Sequence, residues 1–268
     1  MSFSIEGKTA IVTGAANGVG LAIGKHFVNN GARVVFADMD EERLKDEISG
    51  LGGDDGPARH FAGDLRKKLT VANLLSATID AFDRVDILVN AARQIVLTDP
   101  LNAEDTSVAD LLDQNLMAAL RMSQAVARRM IAQAEEDDDD SYVGSIVNLS
   151  SIAARRTHPD LLAYSVSSAA LDQMTRSMAV ALAPKRIRVN AVAFGSVMSA
   201  SLMGTLRGHD EMRDAIVDNT PLHRIASPGE VADAVQYLAS DAAGFVTGQV
   251  ITVDGGRTLI DPAAVSAH

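Results

Sequence analysis

The sequence predicts an α/β fold in which helices cover both faces of a parallel sheet. Short apolar runs typical of buried strands alternate with amphipathic stretches of about ten to fifteen residues along the chain. A turn punctuated by glycines joins the first strand to the first helix. Because consecutive parallel strands need helical crossovers, this alternation predicts a doubly wound sheet. At 268 residues the chain suits one large domain, residues 1–268.

The predicted elements follow one another in a regular order. Strands are expected at 10–12, 34–37, 59–62, 85–89, 145–149, 187–192 and within 246–256. Helices are expected after the glycine turn and at 41–51, 70–82, 107–134, from 164 onward and at 228–240. A turn-rich loop is expected at 52–57, and a solvated or disordered loop at the six acids 135–140. The poorly patterned segment 198–223 is expected to be a mobile substrate lid.

Composition excludes several classes of function. The net charge of −11 leaves no basic surface to follow a nucleic-acid backbone. The chain has no cysteine, and its six histidines lack the spacing of metal ligands, so we expect no metal site. The N-terminus has no signal-peptide pattern, and no apolar run reaches about 18 residues. A cytoplasmic protein with no membrane partner is therefore expected.

The glycine turn predicts a nucleotide site. Gly14 permits the tight turn, Gly18 lets the backbone approach a phosphate, and Gly20 lets the helix pack closely on the strand. A dinucleotide pyrophosphate is thus expected at the helix N-terminus. Asp38 ends the second strand, where a carboxylate accepts from a ribose 2′-hydroxyl, and Met39 offers no cation for a 2′-phosphate. This favours NAD over NADP; the alternative is a glycine-rich loop without a ligand.

The spacing T-G-x-x-x-G-x-G, the stretch I-V-N-L-S-S…A-Y and the later V-T-G-Q-V-I-T-V-D-G-G resemble the short-chain dehydrogenase/reductase family over nearly the whole chain. The resemblance implies a three-layer Rossmann fold with a seven-stranded sheet, and hydride transfer between NAD and an alcohol or carbonyl compound. It also implies a homotetramer or homodimer formed through the helices of Asn115 and Tyr164. The residues it places against the cofactor are Gly14, Asn17, Gly18, Val19, Gly20, Asp38, Met39, Asp64, Leu65, Asn90, Ala91, Ala92, Tyr164, Ser168, Gly195, Val197 and Ser199.

The same resemblance implies three catalytic roles. Ser151 would hold the reacting oxygen, and Tyr164, thirteen residues later, would give or take its proton. Asn115 would bend its helix and hold a water in the proton relay. Simpler interpretations stay open, because a serine at a strand end also caps the following segment. In the simpler interpretation of Asn115, it is an ordinary polar residue on an exposed helix face.

The family motif Y-x-x-x-K is only partly met, since Ser168 occupies the lysine position one helical turn after Tyr164. In the family that lysine binds the nicotinamide ribose, which a serine does in part, and promotes ionisation of the tyrosine, which a serine does not. A unit charge ~4 Å away is worth roughly 4 kcal/mol at an effective dielectric of ~20. Three hypotheses follow. Another cation replaces the lysine, the positive nicotinamide does part of the work at high pH, or the protein binds NAD and catalyses little.

Other departures concern the substrate side. The family's N-N-A-G appears here as N-A-A-R, ending in Arg93, and its P-G appears as F-G at Phe194. Arg93 is expected in solvent, on the cofactor or on the substrate. Arg155 and Arg156 are expected at the surface or beside the substrate, where forked cations suit an anion such as a carboxylate. These three arginines are also the candidates to replace the lysine. A lyase or dehalogenase on the same fold is a further alternative, against which the intact glycines count.

Overall fold

The computed structural model describes residues 2–51, 56–137 and 142–261. Seven strands form one sheet within these ranges. They are β1 (Thr9–Thr13), β2 (Arg33–Asp38), β3 (Ala58–Ala62), β4 (Ile87–Asn90), β5 (Gly144–Ser151), β6 (Ile187–Phe194) and β7 (Val250–Val253). The α-helices are α1 (Gly18–Asn29), α2 (Glu41–Ile48), α3 (Lys68–Phe82), α4 (Ser107–Leu111), α5 (Ala118–Asp137), α6 (Leu162–Leu182), α7 (Ala200–Leu206), α8 (Asp210–Asp218) and α9 (Pro228–Ala239).

The strand order is β3-β2-β1-β4-β5-β6-β7, and every pairing is parallel. The order changes direction between β1 and β4, since the chain builds outward from β1 to β3 and then returns to the other side. Ligands of open α/β sheets bind at such a point, outside the carboxyl ends of the strands. The predicted doubly wound parallel sheet is confirmed.

Each face of the sheet carries its own hydrophobic layer. One layer contains Phe27 of α1 and Leu238 of α9. The other contains Leu74 of α3 and Met130 of α5. Because both faces are covered, the central strands read as continuous apolar runs, which explains why they are visible in the sequence.

The acidic run differs from the sequence prediction. α5 continues to Asp137, so the loop predicted from residue 135 was wrong for its first three acids. Alanine and glutamate favour helix, which accounts for the extension. Residues 138–140 of that run, and residues 52–55 of the other predicted loop, lie outside the described residues. The single helix predicted over 107–134 is interrupted by a π-helical turn, Leu112–Met117.

Several boundaries also differ. α2 ends at Ile48 and not at residue 51, and only Val250–Val253 of the predicted last segment is strand. Segment 198–223 contains the short helices α7 and α8, although its pattern predicted neither. Its motion as a lid stays a prediction.

Candidate active site

The glycine turn between β1 and α1 is tightly packed on one side and open on the other. A Cβ on Gly14 would lie 2.6 Å from the Cα of Ala92, and a Cβ on Gly20 would lie 2.2 Å from the carbonyl oxygen of Gly14. At Gly18 the φ angle is +56°, and an added Cβ would meet only the Cβ of Ser199, at 3.8 Å. α1 begins at this opening with no acid in its first turn. The opening therefore suits an anion at the helix N-terminus.

Asp38 lies beside the same turn. Its Oδ2 accepts a hydrogen bond from the backbone N–H of Ala16 (3.0 Å), and its Oδ1 accepts from those of Met39 (2.7 Å) and Asp40 (3.2 Å). These three donors fix the carboxylate at the end of β2 and leave acceptor capacity on Oδ2. The Met39 side chain beside it is exposed.

Asp64 and Leu65, which were predicted to border the adenine, follow β3. The Asp64 carboxylate pairs with the Arg66 guanidinium, with both Oδ1–Nε and Oδ2–Nη2 at 2.9 Å. The hydrogen bonds from Arg66 hold the pKa of Asp64 below its usual range. Leu65 is buried in the hydrophobic layer of α3 and α5. Contact of either residue with adenine stays a prediction.

The segment after β4 is fixed by a threonine at the end of β1. The Oγ1 of Thr13 accepts from the backbone N–H groups of Ala91 (3.0 Å) and Ala92 (3.1 Å). The buried Asn90 side chain points into the interior, where its Nδ2 donates to Oδ1 of Asn148 at 2.8 Å. Asn90 therefore joins β4 to β5. The backbone of the two alanines packs closely against Gly14 of the glycine turn.

A cavity of about 870 Å³ lies at the carboxyl ends of β5 and β6. The structure gathers residues from distant parts of the sequence there. The predicted site residues that line this cavity are Val19, Arg93, Ser151, Arg156, Tyr164, Gly195, Val197 and Ser199.

Ser151 is the last residue of β5. Its Oγ accepts from the backbone N–H of Ala153 at 3.1 Å and so caps a 3₁₀ turn that begins at Ile152. The capping role considered from the sequence is therefore present. The hydroxyl proton is not used in that bond, so Ser151 keeps a donor for a substrate oxygen.

Tyr164 lies in the first turn of α6 and is buried. Its hydroxyl oxygen accepts a hydrogen bond from Nη1 of Arg93 at 2.5 Å. The Arg93 guanidinium carbon lies 4.1 Å from the centroid of the Phe194 ring. Phe194 ends β6 and pairs in register with Ser151 of β5. Three positions were predicted for the Arg93 side chain. The one in solvent is wrong, because the side chain contacts Tyr164.

Asn115 lies in the π-helical turn and holds the chain next to Arg93. Its Oδ1 accepts from the backbone N–H of Gln94 (2.8 Å), and its Nδ2 donates to the carbonyl oxygen of the same residue (2.9 Å). Nδ2 also lies 3.3 Å from the Oγ of Ser167 on α6. Asn115 is buried, so an exposed helix face is excluded. π-helical turns are frequent at functional sites, and a water held by Asn115 stays a prediction.

Ser168 is buried one turn after Tyr164. It lines a narrow space together with Arg93, Asn115 and Ala92. The lysine position and the arginine therefore open onto the same small volume. Within the described residues lining it, Arg93 is the one cation.

The two consecutive arginines line different cavities. Arg156 lines the main cavity and donates from Nε (3.2 Å) and Nη2 (2.6 Å) to the carbonyl oxygen of Thr258. Arg155 lines a second cavity of about 590 Å³, and its Nη1 lies 3.4 Å from Oγ1 of Thr252. Ser196 lines both cavities, and a substrate shared by the two arginines stays a prediction.

Two cavity residues with ionisable side chains were missed from the sequence. Arg257 lines the main cavity and donates from Nη1 to the Oγ of Ser196 at 3.1 Å, and His158 lines the same cavity. Arg257 follows β7, and His158 follows β5. The carboxyl ends of parallel strands meet at one edge, and this signal, applied to the residues after each strand, finds both.

The described ranges contain no group of three or more histidine, cysteine or acidic residues able to hold a metal ion. None of their helices combines the length and apolarity needed to cross a bilayer.

The sheet order and the glycine turn at its switch point define a Rossmann-type α/β protein. Residues 14–258 match the family profile described as enoyl-(acyl carrier protein) reductase. The D-threitol dehydrogenase of Mycolicibacterium smegmatis is 34% identical over 260 residues, covering 96% of this chain and 95% of that protein. The galactitol 2-dehydrogenase (L-tagatose-forming) of Cereibacter sphaeroides is 33% identical over 261 residues, with 96% and 97% covered.

A solved structure extends the comparison. A 7α-hydroxysteroid dehydrogenase complexed with NADH and 7-oxo glycochenodeoxycholic acid superposes with a TM-score of 0.86 at 29% identity, covering 95% of both chains. The chain belongs to the short-chain dehydrogenase/reductase family, and it is an oxidoreductase of that type.

Proposed function

We propose that this protein is an NAD-dependent oxidoreductase that transfers a hydride between NAD and a secondary alcohol or ketone. One observation carries the proposal: a serine hydroxyl and a tyrosine phenol line the same cavity at the switch edge of the sheet. The relatives named as dehydrogenases of threitol, galactitol and a 7α-hydroxysteroid support an alcohol or carbonyl group as the reacting function.

The residues present fit a nicotinamide dinucleotide. The opening at Gly18, with Ser199 across it, accommodates a pyrophosphate at the start of α1. Gly195 and Val197 line the same cavity as Tyr164 and would hold the nicotinamide end. When bound, the cofactor supplies the carbon that accepts or gives the hydride.

The chain's own residues bind the reacting oxygen of the substrate and transfer its proton. The Ser151 hydroxyl donates to the substrate oxygen and holds it in place. In oxidation, the Tyr164 phenolate takes the hydroxyl proton as a hydride leaves the carbinol carbon; in reduction, the phenol returns that proton as the hydride arrives. Asn115 keeps the segment after β4 in position, and Ser168 offers a hydroxyl at the lysine position.

The cofactor is NAD and not NADP in this proposal. The Asp38 carboxylate is fixed by three backbone donors beside the glycine turn, so it accepts from a ribose 2′-hydroxyl and repels a 2′-phosphate. Met39, next to it, supplies no compensating cation.

The substrate is anionic in this proposal, with a carboxylate as its simplest charged group. The main cavity is lined by Arg93, Arg156, Arg257 and His158, and no carboxylate lines it among the described residues. This contrasts with a net charge of −11 for the chain. We expect Arg156→Gln or Arg257→Gln to raise KM for a hydroxy acid more than for an uncharged alcohol. Arg155→Gln, in the second cavity, is the matched control.

Segment 198–223 is proposed as the substrate lid, since Leu202 and Thr205 of α7 line the cavity. We also propose a cytoplasmic homotetramer or homodimer formed through α5 and α6. The exposed apolar side chains of Leu162, Val166 and Val180 on α6 support this. By contrast, Met178 of the same helix packs in the hydrophobic layer of α5.

A second candidate function is NAD binding with little catalysis. The observation that favours it is the uncharged Ser168 at the family's lysine position. A panel of secondary alcohols and hydroxy acids, assayed with NAD and with NADP, separates the two. The oxidoreductase is supported when wild type turns over with NAD and Tyr164→Phe or Ser151→Ala removes that turnover. NAD binding without turnover in any protein supports the second candidate.

A further inference from the structure

Three departures from the family pattern lie around Tyr164. Arg93 contacts its phenol, Phe194 packs against Arg93, and Ser168 lines the narrow space that Arg93 and Tyr164 also line. We infer that Arg93 is the catalytic cation of this enzyme and performs, from the segment after β4, the electrostatic task that a lysine at position 168 performs in relatives. The inference rests on the proposed function for its meaning in catalysis. The contact itself, through which the cation stabilises ionised Tyr164, does not depend on that function.

The first line of evidence is direct contact. Nη1 of Arg93 donates to the Tyr164 hydroxyl oxygen, the atom that exchanges the proton. A guanidinium stays charged at every pH at which proteins are stable and carries no acceptor. Its hydrogen bond therefore strengthens when the phenol loses its proton, since the acceptor then carries a full charge.

The second line of evidence is the support beneath the guanidinium. The Arg93 guanidinium carbon lies 4.1 Å from the centroid of the buried Phe194 ring, within the range of a cation–π interaction. Phe194 stands where the family has proline, which has no aromatic face to offer. The substitution at 194 thus supplies what an arginine at 93 requires.

The third line of evidence is the backbone. Asn115 uses both its amide oxygen and its amide nitrogen on Gln94, the residue after Arg93. A side chain that reaches the tyrosine needs a fixed starting point, and this pair of bonds supplies one. Ser168 completes the arrangement, because its small side chain leaves the shared narrow space to the guanidinium.

The charge on Arg93 is not neutralised locally. Within the described ranges, no carboxylate lies within 4.0 Å of its guanidinium nitrogens. The other titratable or charged groups around Tyr164 are Arg156, His158 and Arg257 on the cavity wall, with Asp160 before α6 and Asp172 further along it. Because these groups surround the tyrosine, a rate profile of the wild-type protein alone does not identify Tyr164.

The test therefore measures Tyr164 itself, without cofactor or substrate. The chain has three tyrosines and no tryptophan, so the ultraviolet absorbance of tyrosinate reports on few groups. Burial raises the pKa of Tyr142 to about 12, outside the useful range. Tyr237→Phe removes the third tyrosine, and the remaining signal is assigned to Tyr164 when Tyr164→Phe abolishes it.

In that background we compare Arg93→Gln, Arg93→Lys and the control Arg176→Gln. Arg176 is exposed on the same helix, about 18 Å along it from Tyr164, beyond the screening length of about 8–10 Å. Arg93→Gln should move the ionisation midpoint of Tyr164 upward by about one to two pH units, the equivalent of one charge-assisted hydrogen bond. Arg93→Lys should restore most of that shift, and Arg176→Gln should leave the midpoint in place.

A midpoint that is the same in Arg93→Gln and wild type overturns the inference, as does an equal shift in Arg176→Gln. If Arg93→Gln leaves the midpoint in place and binds NAD more tightly than wild type, Arg93 is an obstruction to the cofactor and not a catalytic cation. A shifted midpoint in a protein that never turns over would support the Arg93 contact and contradict the proposed function. Circular dichroism establishes that each variant is folded, and Arg93→Gly, which also removes the charge, is the fallback if Arg93→Gln is not.

Discussion

Replacing Phe194 by leucine tests how the guanidinium is held. The substitution removes the ring that lies 4.1 Å from the Arg93 guanidinium carbon but keeps an apolar side chain at the end of β6. A partly desolvated cation–π contact is worth about 1 kcal/mol, which corresponds to about 0.7 pH unit. Because a less firmly held Arg93 favours ionised Tyr164 less, we expect the midpoint of the kcat/KM profile for oxidation to rise by about that amount.

The matched control is Phe82→Leu. Phe82 is also buried and also lies under guanidinium groups, with the centroid 5.7 Å from Arg33 and 5.2 Å from Arg59, but it belongs to α3 away from the cavity. Both variants should lose stability, and only Phe194→Leu should shift the profile. If the two variants lose similar stability and neither moves the midpoint, the ring only fills space and the argument for its role is wrong.

Three further predictions concern the cofactor site and stability. Gly20→Ala should weaken NAD binding and lower the melting temperature, since its Cβ would lie 2.2 Å from a carbonyl oxygen, whereas Gly50→Ala, with nothing within 4 Å, should change neither. Asp38→Asn should lower NAD affinity about tenfold in calorimetric titrations and lower NADP affinity less; equal losses would contradict the ribose role. The hydrogen bond from Arg224 lowers the pKa of Glu230 to about 2, so Glu230→Gln should destabilise the protein by about 1 kcal/mol at pH 7. That difference in unfolding free energy should shrink as pH falls from about 4.5 to 2, and a difference that persists at pH 2 would refute the ion pair as its cause.

The fold was largely predictable because its signals are local. The β1–turn–α1–β2 unit combines an apolar run, fixed glycine positions and a terminal acid within residues 9–38. Strands buried on both faces give continuous apolar runs that need no tertiary information. Predicted boundaries were wrong where the residues on both sides favour the same secondary structure. At the acidic end of α5, glutamates that follow alanines continue the helix.

The site was predictable only in part, because its decisive contact is not local. Arg93 and Tyr164 are separated by 71 residues, and no spacing rule joins them. The sequence does show that Arg93, Ser168 and Phe194 each depart from the family pattern. That Phe194 packs against Arg93 and that Ser168 lines a space with Arg93 follows only from the register of β5 with β6 and the position of the segment after β4. Arg257 differs from Arg93, because its position just after the carboxyl end of the last strand is itself a signal that it can reach the cavity.

The most direct test of the central claim is to move the cation back to the family's position. The rate–pH profile for oxidation by NAD is measured for wild type, Arg93→Gly, Ser168→Lys and the double variant. The account predicts that Arg93→Gly raises the profile midpoint by about one to two pH units. It also predicts that Ser168→Lys alone changes the midpoint little, because Arg93 already supplies the charge, and that the double variant returns toward wild type. The two substitutions are then strongly non-additive. Additive effects, with the double variant no better than Arg93→Gly, would contradict the claim that Arg93 performs the lysine's task.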